Sequence, residues 1–446
     1  MEFYAGTQIQ KNLGNLNRSQ WWKPEEIKEF QNKKVKHLIE HAYTNVPYYR
    51  HIFKQKNLLP HDITSVDDLQ QLPFLTKDII KKNFQDLIAK NFIKNSILDN
   101  TSGSTGEPLK YYNTNEAISI GWASTYRGWG WAGYELGDKR ITFGFWRDYK
   151  TSDTSTMKNI KMMKRLRYSF ERNLPFSTFN LNEGILKSYI SNIIEYKPKF
   201  IRGYPSALTI FAKYIDINHI ENIKPHAIIT TAETLLPLQR RKIEEVFGCP
   251  VFDGYGCRDG GANAMECSEH FGYHICAEQC YLETIKTDEN VCEGEQGEIV
   301  TTDFYNYAMP FIRYRTGDLG TLSDEKCSCG RGLPILKSIK GRLINLFVHS
   351  DGSYLSGLPL TDVFEHLEQI KNDTIRQYQV IQETRDRLLI KIIKGKNFSE
   401  NNEKKIISEM KKHLGDRIIV IIEYVDNIPT TPGGKRHYVI SYESKG

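Results

Sequence analysis

The chain has 446 residues, 39% hydrophobic and 26% charged, with a net charge of +6. That length suits two or three domains, and the interspersed signs of charge argue against a nucleic-acid-binding surface. There is no long apolar run to span a membrane and no basic-then-apolar leader at the N-terminus. The sequence therefore predicts no membrane contact and a cytoplasmic protein, in which eight cysteines serve metal binding or packing rather than a disulfide framework.

The first hundred residues read as mostly helical. The pattern over 23–43 has apolar positions at helical spacing, ended by Val46-Pro47, and a second pattern covers 77–93. The Lys-rich stretches 23–40 and 403–412 read as solvated helix faces. From 139 to about 260, short apolar runs at 140–145, 199–204, 227–233 and 251–256 alternate with helical stretches at 187–197, 206–216 and 236–247. This predicts βαβ units and a largely parallel sheet. Residues 281–322 predict a small antiparallel unit with strands at YLETI, GEIVTTDF, FIRYR and GTLS. After Gly341-Arg342 the strands NLFV, IRQYQVI, RLLIKII and RIIVIIEYV, with helices near 358–370 and 400–414, predict a small α+β domain. The fold class is thus α/β: a large N-terminal domain (1–340) with mainly parallel sheets flanked by helices and a strand-rich unit, then a small C-terminal domain (341–446).

Residues Thr101-Ser102-Gly103-Ser104-Thr105-Gly106-Glu107-Pro108 interleave hydroxyls with glycines. Such a loop lets successive amides and hydroxyls approach an anion closely, and it lacks the Lys-Ser/Thr ending of a P-loop. A plain turn is the bland alternative. Ile229-Thr230-Thr231-Ala232-Glu233 ends a predicted strand, where parallel sheets place ligand loops, although Glu233 also suits a cap for the next helix. Asp259 in Asp253-Gly254-Tyr255-Gly256-Cys257-Arg258-Asp259 is a hard oxygen ligand suited to Mg2+. Asp318 in Tyr314-Arg315-Thr316-Gly317-Asp318 follows a strand, as carboxylates that hold a ribose do, or it is a turn aspartate. Lys435 lies on the Gly-rich loop Pro432-Gly433-Gly434-Lys435, which is either a surface turn or a mobile carrier of charge. Tyr204-Pro205-Ser206 opens a helix, with Ser206 a candidate cap. The aromatics Trp122, Tyr126, Trp129 and Trp131 read as core before they read as a pocket. Cys327-Ser328-Cys329-Gly330 offers two thiols to one metal; Cys267 and a histidine upstream complete an ordinary four-coordinate zinc set. Cys-x-x-His spacing favours His270 as that histidine, and Cys276 and Cys280 are further candidates.

Thr101–Pro108 resembles the phosphate-binding signature of the adenylate-forming superfamily, which includes acyl- and aryl-CoA ligases. The branch it most resembles is phenylacetate-CoA ligase-like, with its capsule-biosynthesis and coenzyme F390 synthetase-like members. The likeness recurs in order at the other motifs. It implies that Thr101, Ser102, Gly103, Ser104, Thr105 and Gly106 hold ATP phosphates. It further implies that Ala232, Glu233, Asp253, Tyr255 and Gly256 line the adenine site, that Asp318 holds the ribose, and that Arg342 lies near ribose and phosphate at an interdomain hinge. Asp259 stands where the family has Glu beside Mg2+, and no acidic residue follows Arg342 as it often does in the family. Tyr204, Pro205 and Ser206 fall beside the acyl pocket, and Lys435 matches the adenylation lysine. The Gly-Tyr-His-Ile context selects His274 as the fourth ligand of a structural Zn2+ with Cys267, Cys327 and Cys329. The implied activity is activation of a small carboxylic acid by ATP to an acyl-adenylate with release of pyrophosphate, in a crevice between the domains. Transfer to a thiol, coenzyme A, follows after the small domain rotates. Transfer to an amine or to a carrier protein is the alternative, and a catalytically degenerate nucleotide-binding protein is the second. Dimers are common in this branch, so the resemblance allows a homodimer, while the sequence itself does not give the oligomeric state.

Overall fold

A computed structural model describes residues 8–92, 96–101, 109–144, 170–178, 181–286, 289–291, 294–342, 346–348, 354–356, 363–364, 367, 373–430 and 436–440. Helices α1 (Ile9–Ser19), α2 (Pro24–Asn45) and α3 (Pro47–Lys56) open the chain. Pro47 separates α2 from α3, because its ring drives the preceding residue out of helical angles yet suits a first helical position; Val46 is extended, at φ −113° and ψ 110°. Helix α4 (Lys77–Lys82) is shorter than the 77–93 pattern predicts. Asn83 leaves the helical region and turns its side-chain amide back onto the Ile79 carbonyl, at 2.9 Å, a local bond with which Asn competes against helix continuation.

Strands β1 (Ser96–Asn100) and β2 (Lys110–Thr114) pair antiparallel, and the Thr114 hydroxyl caps α5 (Asn115–Trp131) by accepting from the Ala117 amide at 3.0 Å. The predicted alternation follows as β3 (Arg140–Gly144), β4 (Asn173–Ser177), α6 (Glu183–Tyr196), β5 (Phe200–Gly203), α7 (Pro205–Ile217), β6 (Ala227–Thr231) and α8 (Pro237–Phe247). Next come β7 (Val251–Cys257), β8 (Ala262–Glu266), β9 (Tyr273–Ile275), β10 (Cys280–Lys286), β11 (Glu289–Asn290), β12 (Gln296–Asp303), β13 (Tyr314–Ser323) and β14 (Ile335–Arg342). The C-terminal stretch holds β15 (Leu346–Val348), β16 (Tyr354–Ser356), β17 (Ile375–Thr384), β18 (Arg387–Lys394), α9 (Glu400–Leu414), β19 (Ile419–Tyr424) and β20 (Val439–Ile440). Of the helix expected near 358–370, Val363, Phe364 and Leu367 are helical and the rest lies outside the described residues.

The chain divides into two compact units: Met1–Leu136 with Phe252–Ile339, and Gly137–Val251 with Lys340–Gly446. In the first, β11-β10-β12-β13-β14-β9-β8-β7 are neighbours in that order, and the registers of β10 with β11 and β12, β12 with β13, β9 with β14 and β8, and β7 with β8 are antiparallel. Of the strands expected at 311–315 and 320–323, residues 311–313 are not in a strand, and the rest belong to one strand, β13. Its register shifts so that Val300 faces Arg315 while Glu298 faces Leu319, which lifts Thr316-Gly317-Asp318 out of regular pairing. Gly317 takes φ +76°, a backbone angle that favours glycine there. The core beneath is built from the helical stripe Val35, Leu38, Ile39 and Ala42 of α2 against Ile299, Phe311, Ile312 and Tyr314, all essentially buried. Burying each of the Val, Leu, Ile and Phe side chains among them contributes roughly 1.5–3 kcal/mol.

In the second unit, β6-β5-β3-β4 are neighbours in that order, with β4, β3, β5 and β6 all parallel. Their buried residues Ile141, Phe143, Ile201 and Ile228 pack with Leu208 and Phe211 of α7 and Ile243 and Phe247 of α8. A second core, of Val380, Leu388, Ile390, Ile392, Ile406 and Met410, joins the sheet β19-β18-β17-β20 to α9. The fold class is α/β, as the sequence predicts. Among the described residues no helix is long and apolar enough to cross a membrane.

Candidate functional site

Three clusters hold the sequence-predicted residues, two in the first unit and one in the second. The first is a four-ligand knuckle. Cys267 follows β8, His274 sits in β9, and Cys327 and Cys329 occupy the turn between β13 and β14. Gly330, at φ +79°, closes that turn by donating its amide to the Cys327 carbonyl at 3.2 Å. One ligand atom from each of the four residues lies within 4.8 Å of the others. Cys267 Sγ is 3.7 Å from Cys327 Sγ, and Cys329 Sγ is 3.3 Å from His274 Nε2. Burial pushes the Cys267 thiol up to about 12, and burial with the Arg331 charge holds His274 down to about 4. At neutral pH the imidazole is therefore an unprotonated ligand, and a cation would relieve the crowded thiols. Three thiols and one imidazole fit a closed tetrahedral Zn2+, which supplies structure and leaves no position for water. His270 turns instead to Glu266, at 3.2 Å, and packs on the Phe252 ring, while Cys276 lies beside Arg127.

The knuckle is tied to the N-terminal helices. The Gln20 side-chain oxygen accepts from Trp131 Nε1 at 2.8 Å and Arg331 Nε at 3.0 Å, and the Gly332 amide donates to the Gln20 carbonyl at 3.0 Å. The Trp131 ring stands edge-on to His274. Deeper in, Arg127 forms a bidentate pair with Glu278, at 2.6 and 3.0 Å, and both are almost wholly buried. Tyr126 and Trp129 are core residues, in line with the core reading of this aromatic run, whereas Trp122 is 37% exposed and departs from it.

The second cluster gathers the motif residues of β7 and β13. The Tyr255 hydroxyl donates to Asp318 Oδ2 at 3.0 Å, and burial raises its pKa well above the usual value. Asp253 Oδ2 accepts from the Tyr273 hydroxyl at 2.7 Å. Gly256 lies between Tyr255 and Cys257 in the same strand. Asp259 is 8% exposed, and each oxygen has a partner: Oδ1 accepts from the Cys257 thiol at 3.2 Å and Oδ2 from the Tyr314 hydroxyl at 2.7 Å. A carboxylate oxygen has two acceptor sites, so these bonds leave capacity for Mg2+. The lifted segment of β13 is held by Glu298, whose Oε1 accepts from the Gly317 amide at 3.1 Å and whose Oε2 accepts from Arg315 Nε at 2.8 Å.

The third cluster is centred on Glu233, just past β6. Ala232 takes φ +70°, a left-handed angle that is costly for any residue with a Cβ. Glu233 does not cap α8, which caps itself through the Leu236 amide and Gln239 Oε1 at 3.2 Å. Instead its carboxylate accepts from the Ser206 amide and hydroxyl, each at 3.0 Å, and from the Arg436 amide at 2.9 Å. Tyr204 is the N-cap residue of α7, and Pro205 takes the first helical position. Ser206 is thus the second helical residue rather than a cap.

Thr101 pairs with Leu109 across the mouth of the hydroxyl-rich loop, with its hydroxyl accepting from the Leu109 amide at 2.9 Å. Ser102, Gly103, Ser104, Thr105 and Gly106, and also Lys435, lie outside the described residues, as does the side chain of Arg342. Sequence reasoning passed over Tyr273, Tyr314, Glu298 and Arg436 as partners of the motif carboxylates and of the lifted segment. Local spacing marks none of these pairings.

Residues 347–442 match the family model described as the CapK C-terminal domain. Protein CapK of Staphylococcus aureus is 28% identical over 433 residues, covering 93% of this chain and 89% of that protein. A phenylacetate-coenzyme A ligase of Aromatoleum evansii is 30% identical over 323 residues, 69% of each chain. Among solved structures, a 2-hydroxyisobutyryl-CoA ligase in the postadenylation state superposes with a TM-score of 0.75 at 17% identity, covering 96% of this chain and 93% of that one.

Proposed function

Because the chain belongs to the phenylacetate-CoA ligase family of adenylate-forming enzymes, we propose that it activates a small carboxylic acid with ATP and passes the acyl group to coenzyme A. The observation that carries the reading is the convergence of the β7 and β13 motifs. Tyr255 and Asp318 are hydrogen-bonded although 63 positions apart, as a wall for adenine and ribose requires. In this reading Thr101–Gly106 cradle the phosphates, Ala232, Glu233, Asp253 and Gly256 border the base, Arg342 approaches ribose and phosphate, and Tyr204, Pro205 and Ser206 border the acid. Asp259 is the protein ligand toward the Mg2+ that accompanies ATP and neutralises phosphate charge. Cys267, His274, Cys327 and Cys329 hold a structural Zn2+. Lys435 neutralises charge that builds as the acid carboxylate attacks the α-phosphorus and pyrophosphate leaves; fixed charge at that point is commonly worth about a hundredfold or more. Residues 341–446 act as the mobile small domain, which then withdraws Lys435 and admits the thiol.

Acid-dependent exchange of pyrophosphate into ATP, across a panel of aryl and aliphatic acids, tests the reading. Exchange by the wild-type chain, lowered about a hundredfold or more in Lys435→Ala, is expected. Tight ATP binding with no exchange for any acid would sink it. Product analysis with coenzyme A against amines then identifies the acceptor.

A further inference from the structure

We infer that Glu233 is a positioning residue, a latch that fastens the chain just beyond Lys435 to the N-terminus of α7 for the adenylation step. The inference rests on the proposed role of Lys435. Helix α7 begins with Pro205, so Ser206 presents the first amide of the helix, one with no partner inside it. The helix dipole makes that end favourable for a carboxylate. Glu233 is aimed there by the left-handed turn at Ala232, which throws the chain back from the end of β6. Its Oε2 takes the Ser206 amide, and its Oε1 is shared by the Ser206 hydroxyl and the Arg436 amide. Ser206 is fully buried and Arg436 is 9% exposed. The Arg436 guanidinium is anchored in turn on the Thr178 carbonyl, at 3.2 Å. One carboxylate thus joins three segments, the last of them 203 positions further along the chain.

The joined amide belongs to the residue that follows Lys435, so the latch fixes one end of the lysine loop. Charge-assisted hydrogen bonds of this kind are worth more than neutral ones. Breaking them releases the Arg436 end of the loop, which matters in the step that uses Lys435 and not in the step from which Lys435 has withdrawn.

The test uses the full chain and three readouts: kcat and ATP KM of pyrophosphate exchange, coenzyme A thioester formation from supplied acyl-adenylate, and the rate of trypsin cleavage after Arg436. Glu233→Ala is expected to lower the exchange kcat about ten- to a hundredfold, the worth of one or two such bonds. The exchange kcat should fall about tenfold or more further than the rate of the thioester step, on the premise that the latch acts in one half-reaction. ATP KM reports the place of Glu233 beside the base and does not decide the latch. Cleavage after Arg436 should accelerate. Glu233→Gln retains an acceptor for Arg436 but turns an amide donor toward the Ser206 N–H, so its kcat should fall less than that of Glu233→Ala. Unchanged kcat and unchanged cleavage, whether or not ATP KM rises, would leave Glu233 a residue of the nucleotide site alone and overturn the latch. Absence of exchange in the wild-type chain would refute the proposed function instead. Cleavage would then judge the latch alone, faster cutting in Glu233→Ala supporting it and equal cutting overturning it.

Discussion

The knuckle of three cysteines and a histidine in the first unit and the Glu233 junction of the second do similar jobs by different means. Each gathers segments distant in sequence: Cys267 with Cys329, and Ser206 with Arg436. The knuckle does so with side chains whose element types announce a metal. The junction does so with one carboxylate that reads two backbone amides and one hydroxyl. A thiol in the wrong place is useless to zinc, whereas an amide is supplied by every residue except proline. The difference predicts that the knuckle breaks through its side chains, while the junction breaks through its carboxylate more than through its donors.

The largest effect is expected at the knuckle. Cys327→Ser with Cys329→Ser should abolish binding of one Zn2+ per chain, read by elemental analysis. It should destabilise the first unit by several kcal/mol, on the order of what structural zinc contributes elsewhere. Equal metal content in the double variant would show that the four residues are only packed thiols.

Asp303 extends the contrast, because burial acts on it as it does on the knuckle thiols, and among the described residues its carboxylate is held by backbone amides rather than by a cluster that a cation could join. Burial raises its carboxyl from the usual 3.8 to about 6, against hydrogen bonds from the Tyr305 and Asn306 amides. Between those two values the folded chain binds the proton more tightly than the unfolded chain. Stability from this group is therefore full below about pH 4 and is lost as the pH rises through 6, by roughly 3 kcal/mol. Denaturation of the wild-type chain and Asp303→Asn across pH 4–7 should show this slope in the former and its absence in the latter.

The smallest effect is expected at Ser206→Ala, which removes the hydroxyl donor to Glu233 and keeps the Ser206 and Arg436 amides. A loss of about 1–2 kcal/mol in urea unfolding is expected. A loss as large as that in Glu233→Ala would place the junction's strength in the hydroxyl and undo the contrast drawn above.

These regions also mark how far the sequence could be read. Helical and strand periodicity gave α2, the βαβ alternation and the C-terminal sheet, because those elements bury one stripe or face and polarity records it. It misjudged α4, where a single Asn side chain stops the helix at Asn83, and it split β13 in two, because a lifted segment looks like a turn. The Cys-x-Cys turn with Cys267 was legible, and His274 rather than His270 lies with it in the structure. The Tyr314 bond to Asp259 and the Arg436 bond to Glu233 were not legible. Neither pairing leaves a mark in local spacing, since one joins a turn to a strand and the other joins a carboxylate to a main-chain amide.

The register shift in β13 turns its length into a fixed count. From Arg315 to Leu319 the strand spends four positions where β12 spends two, between Val300 and Glu298. Side chains alternate faces at every residue, so losing or gaining one residue within 316–318 would turn the buried Leu319 outward and shift each later pairing on the strand. Substitutions in this segment act locally, whereas a single-codon deletion or insertion there acts on the whole strand. Natural variation in this stretch should accordingly be confined to spelling and absent from length.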